Sequence, residues 1–409
     1  MAQSVLGSVT LGYRPLWNRA RLLGGVQLYV HEDDQGIDGQ HLLRTLGELW
    51  SSESPELLLS VSSRAMLIDL LAHAGASDPL IEVPVRWLDE AHLRATLRAA
   101  KQRGARLMAS GAPQREPDAE AAAWFERRLL TMSATDAAVA LQASLESRRA
   151  VNAGRMVGRA AHSPVKPNAL IDGVASRALA EHALDQQGAW AVADWPVEDV
   201  LHRHRGQPLP PMRRAIVQTM STIDGEPSLD RIEHMFGQDP ALAYRLLLYL
   251  NSAGLGIRAG VASLRHGFMM LGFRSLNTWL AEQLEHASDD ASLRPVNAAM
   301  VLRGHLMEHL MDAGIEEDLR REVYLCGLFA QLDLVLDEPL HKGFSRIPLS
   351  DRIVSAVVSG TGPYAPSLLI ARALEGDDPA PVRALRDEHE VGAEEVNRAL
   401  LRMLASQSH

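Results

Sequence analysis

The sequence predicts a multidomain chain in which an α/β part, an incomplete or reshaped β/α barrel over residues 1–196, precedes an all-α part over residues 212–409. Three observations carry this. Through the first 110 residues, short apolar runs alternate with segments whose leucines recur at helical spacing, the pattern of successive β/α units. From Pro211 onward the chain reads as helices. Between the two lies a linker at 197–211, where His202-Arg203-His204-Arg205-Gly206 and Pro208, Pro210 and Pro211 combine local positive charge with stiffness.

In chain order, the strands are expected at Val9 to Tyr13, Val26 to Val30, Glu56 to Val61, Leu80 to Val85 and Ala105 to Ala109. His41 to Trp50, Ala65 to His73 and Asp89 to Arg103 read as the intervening helices, the last ending before Gly104. From Pro113 to Gly188 the barrel pattern fades. Glu116 to Leu130, Asp136 to Val151 and Asn168 to Gln187 read as helices, and no sixth or seventh strand is legible before a short last strand at Ala189 to Ala193. The second half is read as helices at Pro211 to Ile223, Ser228 to Phe236, Asp239 to Leu250, Ser263 to Leu271, Ser275 to Glu285, Pro295 to Met311 and Glu317 to Leu336.

Overall properties exclude several classes. A formal charge of −10 argues against a nucleic-acid partner, which needs a basic face. No apolar run approaches the ~20 residues of a membrane span, and no signal-peptide core is present, so a cytoplasmic location is expected. A single cysteine, Cys326, allows no internal disulfide framework and suits a reducing compartment.

The most informative stretch is Leu209 to Trp279. Asp239 followed by Pro240 is a helix start by chemistry, a carboxylate able to cap free N–H groups before a proline suited to the first helical position. Leu242, Leu246 and Leu250 then form one apolar stripe that breaks near Gly254 and Gly256. D-P-A-L, then Asn251-Ser252-Ala253, then Leu271-Gly272-Phe273-Arg274 resemble, in order and spacing, the HDOD domain, a helical relative of the HD phosphohydrolases. That resemblance gives Asp239, Pro240, Asn251 and Ser252 structural roles at the two ends of one helix. It also places Arg303 where HD enzymes carry an upstream histidine, and Ala330 and Gln331 where they carry the adjacent His-Asp metal pair. A cation at Arg303 would repel a metal.

The opening G-Y-R-P-L-W-N-R-A-R-L-L-G-G-V-Q-L-Y-V-H is similar to the start of an EAL domain, the barrel that hydrolyses cyclic di-GMP. The resemblance puts Gln27 at the metal-binding glutamate of the second strand and Ser60 at the asparagine of the third. Glu82 retains the acid of the fourth strand, Val85 replaces the next acid, and Ser110-Gly111 replace the paired aspartates of the fifth. Neutral side chains cannot supply the charge that a hard divalent cation requires, and two-metal hydrolysis depends on such carboxylates.

Other patterns carry a plainer reading. His305-Leu306-Met307-Glu308-His309 matches the H-x-x-E-H spacing of inverted zinc peptidases, yet a solvated polar face beside the Leu302, Leu306, Leu310 stripe accounts for it. His202 and His204 have no third ligand nearby. Gly254-x-Gly256 follows a helix rather than a strand and so fails as a dinucleotide loop. Glu32-Asp33-Asp34 reads as a solvated loop.

The sequence therefore leads to the expectation of no catalytic, cofactor-binding or metal-binding residues. The pairing of the two resemblances implies a bacterial signal-transduction protein acting through contacts with other signalling proteins, in motility, biofilm or stress regulation. The alternatives are a nucleotide-binding sensor and a residual cyclic di-GMP phosphodiesterase. Partner specificity is expected on exposed positions near the linker and on the polar face containing His305 and Glu308.

Overall fold

Eight strands close into a barrel: β1 (Val9–Asn18), β2 (Leu23–Glu32), β3 (Glu56–Val61), β4 (Leu80–Pro84), β5 (Leu107–Gly111), β6 (Arg127–Thr131), β7 (Leu170–Asp172) and β8 (Ala191–Ala193). This computed structural model describes residues 4–33, 37–154, 159–160, 162–225, 227–252, 260–311 and 316–407. Asp34, Ala253, Gly254 and Gly256 lie outside them. The chain divides into two units, one formed by Met1–Asp199 with Ala373–His409 and the other by Val200–Arg372.

The barrel is closed, which corrects the expectation of incompleteness. The sixth and seventh strands exist where helices were read, within Glu116 to Leu130 and Asn168 to Gln187. β6 opens on Arg127 and Arg128, whose charges pair with Glu56 and Glu116, and β7 has only three residues, too few to show alternation. β1 runs antiparallel to β2 and β8, while all other neighbours are parallel. Alternate residues point inward. Leu16, Leu58, Leu80, Met108, Leu129, Leu170, Ala191 and Ala193 fill one end of the interior as an apolar plug.

β1 reaches β8 only through Leu16, Trp17 and Asn18, which leaves part of its earlier edge to be covered by other means. Residues from the second segment of this unit cover it. Tyr13 N–H donates to Leu374 O at 2.8 Å, Leu11 N–H donates to Asn397 Oδ1 at 3.2 Å, and Asn397 Nδ2 donates to the carbonyls of Leu6 and Val9 at 2.8 and 2.7 Å. Pairing the free groups of a strand edge is what keeps such an edge from recruiting another chain. Gly12 is required here, because a Cβ would stand 2.2 Å from Gly376 O. The helices Pro379–Glu388 and Ala393–Ala405 therefore belong with the barrel, and the all-α domain expected over 212–409 is corrected at its far end.

The helical unit begins earlier than expected as well. The helix Val197–His202 occupies the start of the linker, and Leu209, buried, donates its N–H to Val335 O at 2.6 Å. The helices Arg213–Ile223, Leu229–Gly237 and Pro240–Leu250 follow. Leu264–Gln283 is interrupted at Gly272, whose φ of 68° and ψ of 159° break the helix inside the L-G-F-R motif. The helices Arg294–Leu310 and Glu317–Leu328 approach closely, since a Cβ on Gly327 would lie 2.7 Å from Arg303 O and one on Gly304 would strike the Tyr324 ring. The single helix read over Glu317 to Leu336 is broken by a 3₁₀ turn at Phe329–Gln331 before Leu332–Leu336. Among the described residues no helix is long and apolar enough to cross a membrane.

Candidate functional site

Two residues along β1, β3, β4, β5 and β7 from the apolar plug, the interior turns polar. Period-two alternation brings Arg14 of β1, Gln27 of β2, Ser60 of β3, Glu82 of β4 and Asp172 of β7 into one layer. Their hydrogen bonds connect them. Arg14 Nη1 donates to Asp172 Oδ1 and to Asp194 Oδ2, both at 2.9 Å, and Arg14 Nη2 donates to Gln27 Oε1 at 3.0 Å. Gln27 Nε2 then donates to Ser60 Oγ at 2.9 Å and to Glu82 Oε2 at 3.1 Å, while Ser60 Oγ donates to the same carboxylate oxygen. Ser110 is buried on β5 beside Pro84, and Val85, buried, lies against Gly111.

The electrostatics follow from this geometry. Burial works against a charge on Arg14, but Tyr29, Asp172 and Asp194 outweigh it and hold the guanidinium above its ordinary range. Its carbon lies 5.7 Å from the centre of the Tyr29 ring, whose phenol is itself pushed up by burial. One organic cation thus sits among the acids of this layer. A divalent ion entering it would meet that positive charge at short range, and it would find amide and hydroxyl groups at Gln27 and Ser60.

Arg14, Asp172 and Asp194 were not singled out as site residues from the sequence. The available signal was positional: Asp172 closes the strand Leu-Ile-Asp and Asp194 follows Ala-Val-Ala, so a period-two reading of β7 and β8 would have found the first of them. A second arrangement was also missed. Ser163 Oγ lies 2.9 Å from His182 Nε2, and His182 Nδ1 lies 2.7 Å from Gln186 Oε1. Ser163 and His182 are only 2% and 0% exposed, and burial keeps the imidazole below its ordinary pKa.

In the helical unit, Asp239 is fully buried and joins two helix starts. Its carboxylate accepts from Leu242 N–H at 3.0 Å, capping Pro240–Leu250, and from Met212 N–H at 2.7 Å, just before Arg213–Ile223. Burial pushes this carboxyl above the usual carboxylate range, and the backbone N–H groups pull it back. Asn251 closes the other end. Its Nδ2 donates to Leu247 O at 2.7 Å and Val261 O at 2.9 Å, and its Oδ1 accepts from Val261 N–H at 2.7 Å. Ser252 donates its backbone N–H to Tyr249 O.

Arg303 is buried at the close crossing of Arg294–Leu310 with Glu317–Leu328. Ala330 is buried and offers its carbonyl to Arg372 Nη2 at 2.7 Å, and Gln331 ends the 3₁₀ turn. His305 Nδ1 and Glu308 Oε2 are 2.9 Å apart. Among the described residues no group of three or more histidine, cysteine or acidic side chains could hold a metal ion.

Comparison with known proteins adds the following. Residues 207–345 match the HDOD domain family. A cyclic di-GMP phosphodiesterase, CdgJ of Vibrio cholerae, is 26% identical over 157 residues, which are 37% of this chain and 36% of that protein. The chain thus spans little more than a third of that curated relative. Among solved structures, the MmoQ response regulator of Methylococcus capsulatus is 17% identical over 48% of this chain and 98% of its own, with a TM-score of 0.37. BlrP1 of Klebsiella pneumoniae in complex with manganese and cyclic di-GMP is 12% identical over 46% of this chain and 55% of its own, with a TM-score of 0.30. The chain carries an HDOD domain in its helical unit, preceded by a closed eight-stranded barrel.

Proposed function

We propose that this chain is a non-catalytic protein of bacterial cyclic di-GMP signalling, working in the cytoplasm through contacts with other signalling proteins in motility, biofilm or stress regulation. One observation carries the reading: the Arg14 guanidinium is bonded to Asp172 and Asp194 and, through Gln27, joined to Ser60 and Glu82. The charge that hydrolysis of a phosphodiester draws from two metal ions is here a single fixed side chain, which can offer hydrogen bonds but cannot coordinate a water molecule and lower its pKa. Neither module then performs chemistry, and each serves by what it holds.

The rival is a residual phosphodiesterase, the activity named for the Vibrio relative. Purified protein incubated with cyclic di-GMP and magnesium or manganese is expected to show no linear dinucleotide product above a protein-free control. Turnover that disappears in Glu82→Ala would overturn the reading in favour of the enzyme.

A further inference from the structure

The helical unit contains two adjoining cavities, of about 230 and 360 Å³, that share Glu233, Arg321 and Leu325 and so form one groove across the helix Glu317–Leu328. Both volumes exceed a single ion, and together they fall in the range of ligand-binding clefts. Six carboxylates line the groove, Asp230, Glu233, Glu308, Glu317, Asp318 and Glu322, against two guanidinium groups, Arg265 and Arg321. Arg321 is divided among four of them, at 3.0 Å from Glu233, 3.0 Å from Asp318, 3.4 Å from Asp230 and 3.4 Å from Glu317. Of the other two, Glu308 has His305 as its neighbour, and Glu322 is paired with Arg352 at 2.7 Å. His234 adds no compensating charge at neutral pH, because burial and the nearby His305 hold its imidazole below its ordinary value.

A groove with this excess of carboxylate attracts cations and repels phosphate-bearing ligands. A bare metal ion does not suit it, since among the described residues no set of three ligating side chains converges. The walls between the acids are apolar: Leu264, Leu325 and the ring of Tyr324. Such walls suit the alkyl stem of arginine or lysine. At the rim stands Met269, 60% exposed, beside Met270, 48% exposed, flexible thioethers that adapt to varied partner surfaces.

We infer that this groove receives a basic, amphipathic segment of a partner protein, with a cationic side chain seated beside Glu308 and Glu233 and an apolar one against Met269. This rests on the contact-based function proposed above and names the chemistry of the contact. The two can fail separately. Turnover of cyclic di-GMP would defeat the non-catalytic reading and leave the groove untouched, whereas loss of the binding described next would defeat only the groove.

The test uses the full chain and a fluorescein-labelled peptide of alternating arginine and leucine, with a glutamate-for-arginine peptide as control. Anisotropy titrations are expected to show saturable binding of the basic peptide, weakened by added salt, and none of the acidic one. Glu308→Arg and Asp318→Arg should each weaken binding at least tenfold. Asp318 is exposed, so its variant should keep the parent melting temperature. Glu388→Arg, on an exposed site of the barrel unit, should bind as the parent does. Equal loss in Glu388→Arg would mean adsorption to net negative charge and overturn the inference. So would parent-like binding by both groove variants, displacement of the peptide by an equivalent concentration of spermidine, or a self-associated parent made monomeric by Glu308→Arg.

Discussion

Asn251 acts as a substitute for a backbone. Its amide donates to two carbonyls and accepts from one N–H, closing the last turn of Pro240–Leu250 and fixing Val261 beside it. Asn251→Ala would strand these groups and should lower the unfolding free energy of the helical unit by about 1–3 kcal/mol. Asn251→Asp, which keeps the acceptor but cannot donate, should cost at least as much. Chemical denaturation followed by circular dichroism measures both, and a loss below about 0.5 kcal/mol in each would show that water replaces the side chain without penalty. At this scale the sequence was informative about position and less so about partners. The Asp239-Pro240 helix start was legible because capping chemistry is local, whereas the bond from Met212 to Asp239 spans 27 residues and leaves no local pattern. Arg14 was hidden for the same reason, since its meaning depends on Asp172 and Asp194, which lie in distant strands.

Among the elements, the strongest constraint is the crossing of Arg294–Leu310 with Glu317–Leu328. Gly304 and Gly327 allow the two backbones to touch, and the first atoms that a side chain on Gly327 would meet are backbone atoms of Arg303 and Gly304. Backbone cannot swing aside as a flexible side chain can. Gly327→Ala should therefore destabilise the helical unit by about 1–3 kcal/mol, although alanine is the better helix former. A gain in melting temperature would show that the helices separate freely. Helices with sustained periodicity were readable in advance, as were the first five strands and the short β8. β6 and β7 were not, because β6 opens on two arginines and β7 is three residues long. The break at Phe329–Gln331 was also invisible, being a 3₁₀ turn between two stretches that share one apolar pattern.

At the scale of the whole molecule, the barrel unit is built from two separated parts of the chain. An amphipathic helix announces that it covers a core without saying which one, so the helices Pro379–Glu388 and Ala393–Ala405 read naturally as a continuation of the helical unit. Their bonds to β1 place them elsewhere. A chain ending at Arg372 should accordingly lose stability in the barrel and retain it in the HDOD unit. Hydrogen exchange would register this as faster exchange of the Leu11 and Tyr13 amides with little change across Pro240–Leu250. Uniform protection in both forms would show that β1 holds its place alone.

That division also sets an order of events during synthesis. At about 5–20 residues per second, a ribosome needs roughly 9–35 s to add the roughly 170 residues of the helical unit between the two parts of the barrel. Throughout that interval the outer edge of β1 is complete but lacks Asn397 and Leu374. The nascent barrel waits with an open strand edge while the HDOD unit is made, and a message cut short after it would release a protein whose HDOD unit is folded and whose barrel is marked for chaperones and proteases.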